Sequence, residues 1–135
     1  MSFKRARLAL VAGAAALTVS AAAAAPASAQ YSRCPDTWFC AFTGQNGNGV
    51  MAQFKWGDAN LNDANGPTGM SNNIQSVWNR RADAFIVYAN PGCSSTPWIT
   101  IDGGEKRSFA TGGFWSNQIE SLRYLHSPPS GDYIC

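Results

Sequence analysis

Four cysteines, Cys34, Cys40, Cys93 and Cys135, are the residues of this 135-residue chain whose types and spacing offer covalent chemistry. An even number in an oxidising compartment reads as two disulfides. Cys34 and Cys40 are close enough to close a short loop around Pro35, which leaves Cys93 to hold Cys135. Three pairings are open in principle. Zinc is the rival use of four cysteines, but no pair has the tight spacing of a zinc knuckle. The single histidine, His126, stands beside the Pro-rich stretch from Ser127 to Gly131. Nucleophilic hydrolysis needs a base held rigidly against a serine or cysteine, and a tail position suits that poorly. Asp58, Asp63, Asp102 and Glu105 are the carboxylates a glycosidase-like pair would draw on, and each sits in turn-like sequence where local hydrogen bonding explains it. No catalytic residue is assigned, and the expectation is a protein that is not an enzyme.

The five tryptophans suit sugar stacking as well as core packing. Trp56, Trp78 and Trp98 fall in strand-like runs and are expected to be buried; Trp38 and Trp115 are the better candidates for exposure.

The compartment that permits disulfides is written in the N-terminus. Lys4, Arg5 and Arg7 precede an uncharged stretch from Leu8 to Ala25, and Ala27-Ser28-Ala29 follows. Residues 1–29 are thus expected to be a secretory signal peptide cut after Ala29. The alternative, an N-terminal membrane anchor, is disfavoured because the apolar run is mostly alanine. Three of the ten basic residues leave with the leader and none of the eight acidic ones do, so the mature net charge is −1. Arg80-Arg81 is then the only basic doublet, too little to track phosphates, and neither nucleic acid nor a membrane is expected as a partner of the secreted, extracellular protein.

About 106 residues remain, one domain expected over 30–126 with a tail at 127–135. Short alternating runs between turn residues predict an all-β fold. Val50, Ala52, Phe54 and Trp56 alternate with Met51, Gln53 and Lys55; Phe85–Tyr88 and Trp98–Ile101 are β-branched and aromatic; further strands are expected at 38–42, 75–79, 106–110 and 119–125. About eight strands in this length make a sandwich.

An internal repeat organises them. Ser71-Asn72-Asn73-Ile74-Gln75-Ser76-Val77 returns as Ser116-Asn117-Gln118-Ile119-Glu120-Ser121-Leu122, 45 positions later, and each copy follows an aromatic residue and a Gly/Asn/Ser-rich loop, Phe42–Gly49 and Tyr88–Ser95. Two copies of one four-stranded unit, at about 38–81 and 84–125, are expected to form two Greek keys packed face to face.

The Cys-Pro-x4-Cys opening, the aromatic-then-Gly hairpins and the repeated turn before the last strand of each half resemble the βγ-crystallin fold. Within it they resemble the secreted bacterial proteins of peptidase inhibitor family I36, over roughly Cys34 to Leu125. The resemblance implies a βγ-crystallin-like sandwich of two Greek-key motifs and a binding function directed at an extracellular metalloproteinase. Calcium-binding βγ-crystallins place a hydroxyl ligand where this chain has Gln75 and Glu120, and an acid or amide where it has Ser71 and Ser116. Calcium takes several hard oxygens, some of them charged; Glu120 could serve and Gln75 only weakly, so feeble or absent calcium binding and no other cofactor are expected. The motif residues Ser71, Asn72, Ser76, Ser116, Asn117 and Ser121 are taken as a structural turn in which the Ser76 and Ser121 hydroxyls satisfy loop backbone. For the inhibitory loop the candidates are Cys93, Ser94, Ser95, Thr96 and Pro97, tethered by a disulfide and stiffened by proline, which lowers the entropy lost on binding a protease cleft. The expected molecule is a monomeric protease inhibitor; a cell-wall or carbohydrate-binding module, or a secreted antimicrobial or toxin on the same scaffold, is the alternative.

Overall fold

A computed structural model describes residues 30–63, 67–93 and 96–126. The expected leader at 1–29 and tail at 127–135 lie outside the described residues. Eight strands run in chain order: β1 (Phe39–Phe42), β2 (Met51–Phe54), β3 (Gly57–Asp58), β4 (Ser76–Asn79), β5 (Phe85–Tyr88), β6 (Trp98–Ile101), β7 (Lys106–Ser108) and β8 (Ser121–Tyr124). They form two antiparallel sheets, β2-β1-β4-β7 and β3-β8-β5-β6. Replacing each strand of the first half by its counterpart in the second turns one order into the other. The third strand of each half crosses to the opposite sheet: β3 pairs with β8, and β7 with β4. Each half therefore completes the other's sheet.

The crossings need close backbone approach. Gly57 has φ +136°, and a Cβ there would stand 2.2 Å from the Leu122 carbonyl oxygen; at Gly103 it would stand 2.1 Å from that of Ala82. No larger residue fits either position without displacing backbone. β3 carries no hydrophobic alternation, and sequence periodicity gave no sign of it.

Alternation puts Phe39 and Ala41 of β1, and Phe85 and Val87 of β5, into a core shared with Ile74, Ile101, Ile119 and Leu122. The Phe39 and Phe85 rings stack with centroids 4.4 Å apart, joining the halves at the centre. On the outer side of β1, Cys40 and Phe42 are also buried, because Tyr31 and Cys34 fold over them. Tyr31 meets Phe42 edge-on at 5.4 Å. The Cys34–Cys40 disulfide fastens this segment, with Cα atoms 5.8 Å apart. Cys93 is also disulfide-bonded; its expected partner, Cys135, lies outside the described residues.

Candidate functional site

At one end of the sandwich lie two hairpin loops, joining β1 to β2 and β5 to β6, and each is held by a serine from its own half. Ser76 and Ser121 begin β4 and β8 and are fully buried. The Ser76 hydroxyl donates to the Gly44 carbonyl at 2.6 Å and accepts from the Gly47 N–H at 2.9 Å. The Ser121 hydroxyl donates to the Asn90 carbonyl at 2.6 Å and accepts from the Cys93 N–H at 3.2 Å. A hydroxyl is the smallest side chain that can give and take a hydrogen bond at once. Here it closes a loop whose backbone groups would otherwise be buried unpaired.

The turns before these serines interlock across the pseudo-two-fold axis. The Asn72 N–H donates to the Ile119 carbonyl at 3.2 Å and the Asn117 N–H to the Ile74 carbonyl at 3.1 Å. Both asparagines have positive φ, 51° and 58°, a region that asparagine tolerates better than most residues. Ser71 donates to a Glu120 carboxylate oxygen at 3.3 Å and the Asn72 side-chain amide bonds the other. At the matching turn, Gln75 replaces the carboxylate and Asn117 Oδ1 is buried without a partner among the described residues. The first oxygen set thus holds one charge, already engaged by two donors, and the second set, with Ser116, holds none. Calcium, by contrast, favours several hard and partly charged oxygens.

The candidate inhibitory loop occupies the second hairpin. Cys93 is its buried anchor, with φ 47°, and Thr96 and Pro97 are exposed. Ser94 and Ser95 lie outside the described residues. From below, the Gly92 N–H donates to the Ala59 carbonyl at 2.7 Å. Beside this contact Asp58 accepts from the Asn60 N–H at 2.9 Å. Burial pushes the Asp58 carboxyl above its ordinary value; the Asn60 bond lowers it and the nearby Asp63 charge raises it.

Trp98 corrects one expectation. It is 52% exposed, because it faces outward on a border strand opposite Tyr88 while Ile99 and Ile101 take the inward positions. Trp38 and Trp115, the expected exposed pair, are half-buried against apolar clusters. Trp56 and Trp78 are half-buried too, with cations over their rings: Arg81 4.7 Å from Trp56, and Arg80 and Lys106 at 4.5 and 4.3 Å from Trp78.

His126 lies at the other end, 67% exposed, its Nδ1 3.4 Å from an Asp83 carboxylate oxygen that also takes the Tyr124 hydroxyl at 2.7 Å. Asp102 and Glu105 belong to a surface turn closed by the Asp102 N–H on the Glu105 carboxylate. Arg33, which no motif marks, lies beneath the first hairpin, where its guanidinium donates to the Gly47 carbonyl at 2.6 Å and the Gly49 carbonyl at 3.0 Å.

Two four-stranded sheets built from interlocked, duplicated Greek keys define the βγ-crystallin class, and solved structures agree. A structure described under the evolution of the eye-lens βγ-crystallin domain fold superposes with a TM-score of 0.60 at 10% identity, covering 70% of this chain and 92% of its own. A βγ-crystallin from Ciona intestinalis gives 0.54 at 15% identity, covering 64% and 98%. One from an archaeon gives 0.53 at 15% identity, covering 67% and 100%. These likenesses establish the fold. No curated protein matches the chain. Residues 27–101, more than half of the sequence, match peptidase inhibitor family I36, and the chain belongs to that family.

Proposed function

We propose that this protein is exported and inhibits an extracellular protease, a metalloproteinase in the narrower form of the reading, as a monomer that performs no chemistry of its own and needs neither calcium nor another cofactor. The observation that carries the proposal is family membership. The second hairpin supplies a suitable surface. Cys93 and Ser121 hold its base, while Thr96, Pro97 and Trp98 stand in solvent. A loop fixed before it meets its target loses less entropy on binding. Export rests on the composition of residues 1–29 and on the buried Cys34–Cys40 disulfide, which persists in oxidising compartments.

The decisive experiment is inhibition of thermolysin, as a zinc-protease probe, and of subtilisin by the purified oxidised protein. We expect thermolysin to be inhibited with a Ki of about 1 µM or tighter; inactivity against both enzymes removes the reading. N-terminal sequencing of the exported protein should begin at Gln30, and non-reducing peptide mapping should join Cys93 to Cys135. The half-exposed Trp98 is the one observation that favours a glycan-binding module instead. Sedimentation with insoluble peptidoglycan, chitin or cellulose, lost on Trp98→Ala, would move the assignment there.

A further inference from the structure

Four strands border the two sheets, β2 and β7 in the first and β3 and β6 in the second. A border strand offers unpaired backbone groups to any passing chain, and proteins blunt such edges by shortness or charge. β3 has two residues. β7 carries Lys106 and Arg107. β6, Trp-Ile-Thr-Ile, has neither protection.

The phase of its hydrogen bonds shows which groups are free. The Ala89 N–H donates to the Pro97 carbonyl at 3.2 Å, directly before the register pairs Tyr88 with Trp98, Val87 with Ile99 and Ile86 with Thr100. Residues facing each other in an antiparallel ladder alternate between bonded and non-bonded pairs. Ile99 and Ile101 therefore bond inward to β5, while the N–H and C=O of Trp98 and Thr100 point away from the sheet. Among the described residues nothing bonds these four groups. At the same edge stands the 52% exposed Trp98 indole, and the exposed Thr96 and Pro97 of the candidate inhibitory loop run straight into the strand.

We infer that the outer edge of β6, through the backbone of Trp98 and Thr100, grips the protease by pairing with an extended backbone segment of its substrate cleft. The inference rests on the inhibitor reading above and assigns the contact within it. Strand addition takes its affinity from main-chain bonds and its selectivity from side-chain pockets at alternate positions. A protease cleft that holds substrates extended presents such a backbone. The uncharged β6 edge sets no like charge against it, and Trp98 adds a large rigid contact beside the new strand.

The first sheet contains its own control. The Thr43 N–H donates to the Val50 carbonyl at 3.0 Å, which sets the same phase on β2 and turns the backbone of Met51 and Gln53 outward. That edge lacks an exposed aromatic, since Met51 is packed against the cluster containing Tyr31 and Cys34.

The test replaces the amide N–H of residue 100, and separately that of residue 53, with an ester oxygen by semisynthesis, and measures inhibition of thermolysin and subtilisin. Both changes touch outward groups, so thermal unfolding should stay as in the wild type. We expect the ester at Thr100 to weaken inhibition about tenfold and the ester at Gln53 to leave it within about twofold. Thr100→Pro removes the same donor genetically and should act in the same direction, since proline is tolerated on a border strand where its nitrogen faces solvent. An active wild type with an unchanged Thr100 ester overturns the edge assignment and leaves the inhibitor reading standing. A wild type inactive against both proteases overturns both. A concentration-dependent dimer in sedimentation that dissociates on Thr100 esterification gives the edge to a second copy of the chain and likewise overturns the inference.

Discussion

The two hairpin loops share one clasp and differ in everything around it. Ser76 and Ser121 make the same pair of bonds to their loops. Around the first loop the contacts multiply: Arg33 bonds two of its carbonyls, Gln45 donates to the Phe109 carbonyl at 2.5 Å, and the Asn46 N–H reaches the Ser108 hydroxyl at 3.0 Å. The second loop rests on Ala59 and a disulfide-bonded Cys93, and then leads into exposed Thr96, Pro97 and Trp98. Duplication gave two equivalent loops. Among the described residues, one is fastened at Gly47, Gly49, Gln45 and Asn46, while the other is held at its base by Ala59 and Ser121 and leads into exposed Thr96 and Pro97, and a loop fixed at its base suits binding.

The two halves depend on each other most at the central ring stack. Phe39→Ala and Phe85→Ala each remove a fully buried ring from the central stack, and each should cost about 3–5 kcal/mol in chemical denaturation. Because each half completes the other's sheet, both variants should unfold in a single transition seen equally by probes in either half. Two separated transitions would show that the halves are independent.

Next come the clasps. Ser76→Ala and Ser121→Ala should each lose about 1–3 kcal/mol, the cost of leaving buried loop groups without their partner. Inhibition separates them: Ser121→Ala should weaken it more than Ser76→Ala at matched stability, because the proposed protease contact lies on the second loop. Equal losses would erase the functional difference between the loops. The Cys34–Cys40 bridge, closing a separation of six residues, should contribute about 2 kcal/mol through the unfolded chain. It lies on the fastened side, so Cys34→Ala with Cys40→Ala should lower the unfolding midpoint and leave the inhibition constant of the folded fraction unchanged.

Much of the architecture was legible because it rests on short-range pattern. Ala52 and Phe54 alternate inward as their spacing predicts, and the repeated Ser-Asn-x-Ile-x-Ser string announced two units of one kind. Which sheet a strand joins was not legible. β3 and β7 cross over because Gly57 and Gly103 permit backbone contact with residues far away in sequence, and no local pattern records that. Trp98 failed for a related reason. Its run of β-branched and aromatic residues marks a strand correctly, but exposure depends on the strand lying at a border, which is a property of the whole sheet. The candidate loop was marked by its cysteine and proline, whereas the supports that distinguish it from its twin, Ala59 here and Arg33 there, come from distant segments.

The smallest expected effect concerns what lies beneath each loop. Under the first, Ser108 follows the basic Lys106 and Arg107; under the second, Ala59 follows Asp58, whose carboxyl is raised chiefly by burial and further by Asp63. A carboxyl whose folded pKa exceeds its unfolded one binds more protons when folded. Stability from this group is therefore greatest below the ordinary value of 3.8 and falls as pH rises through the raised folded value. Asp58→Asn keeps an acceptor for the Asn60 N–H and removes the charge. It should raise the unfolding midpoint slightly at neutral pH, by an amount worth about half a kcal/mol or less given the group's access to solvent. The advantage over the wild type should shrink steadily below about pH 4. An advantage that instead grows on acidification would mean that the Asp58 carboxylate stabilises the floor of the second loop through its bond to Asn60, and that the two loops are more alike in their support than their charges suggest.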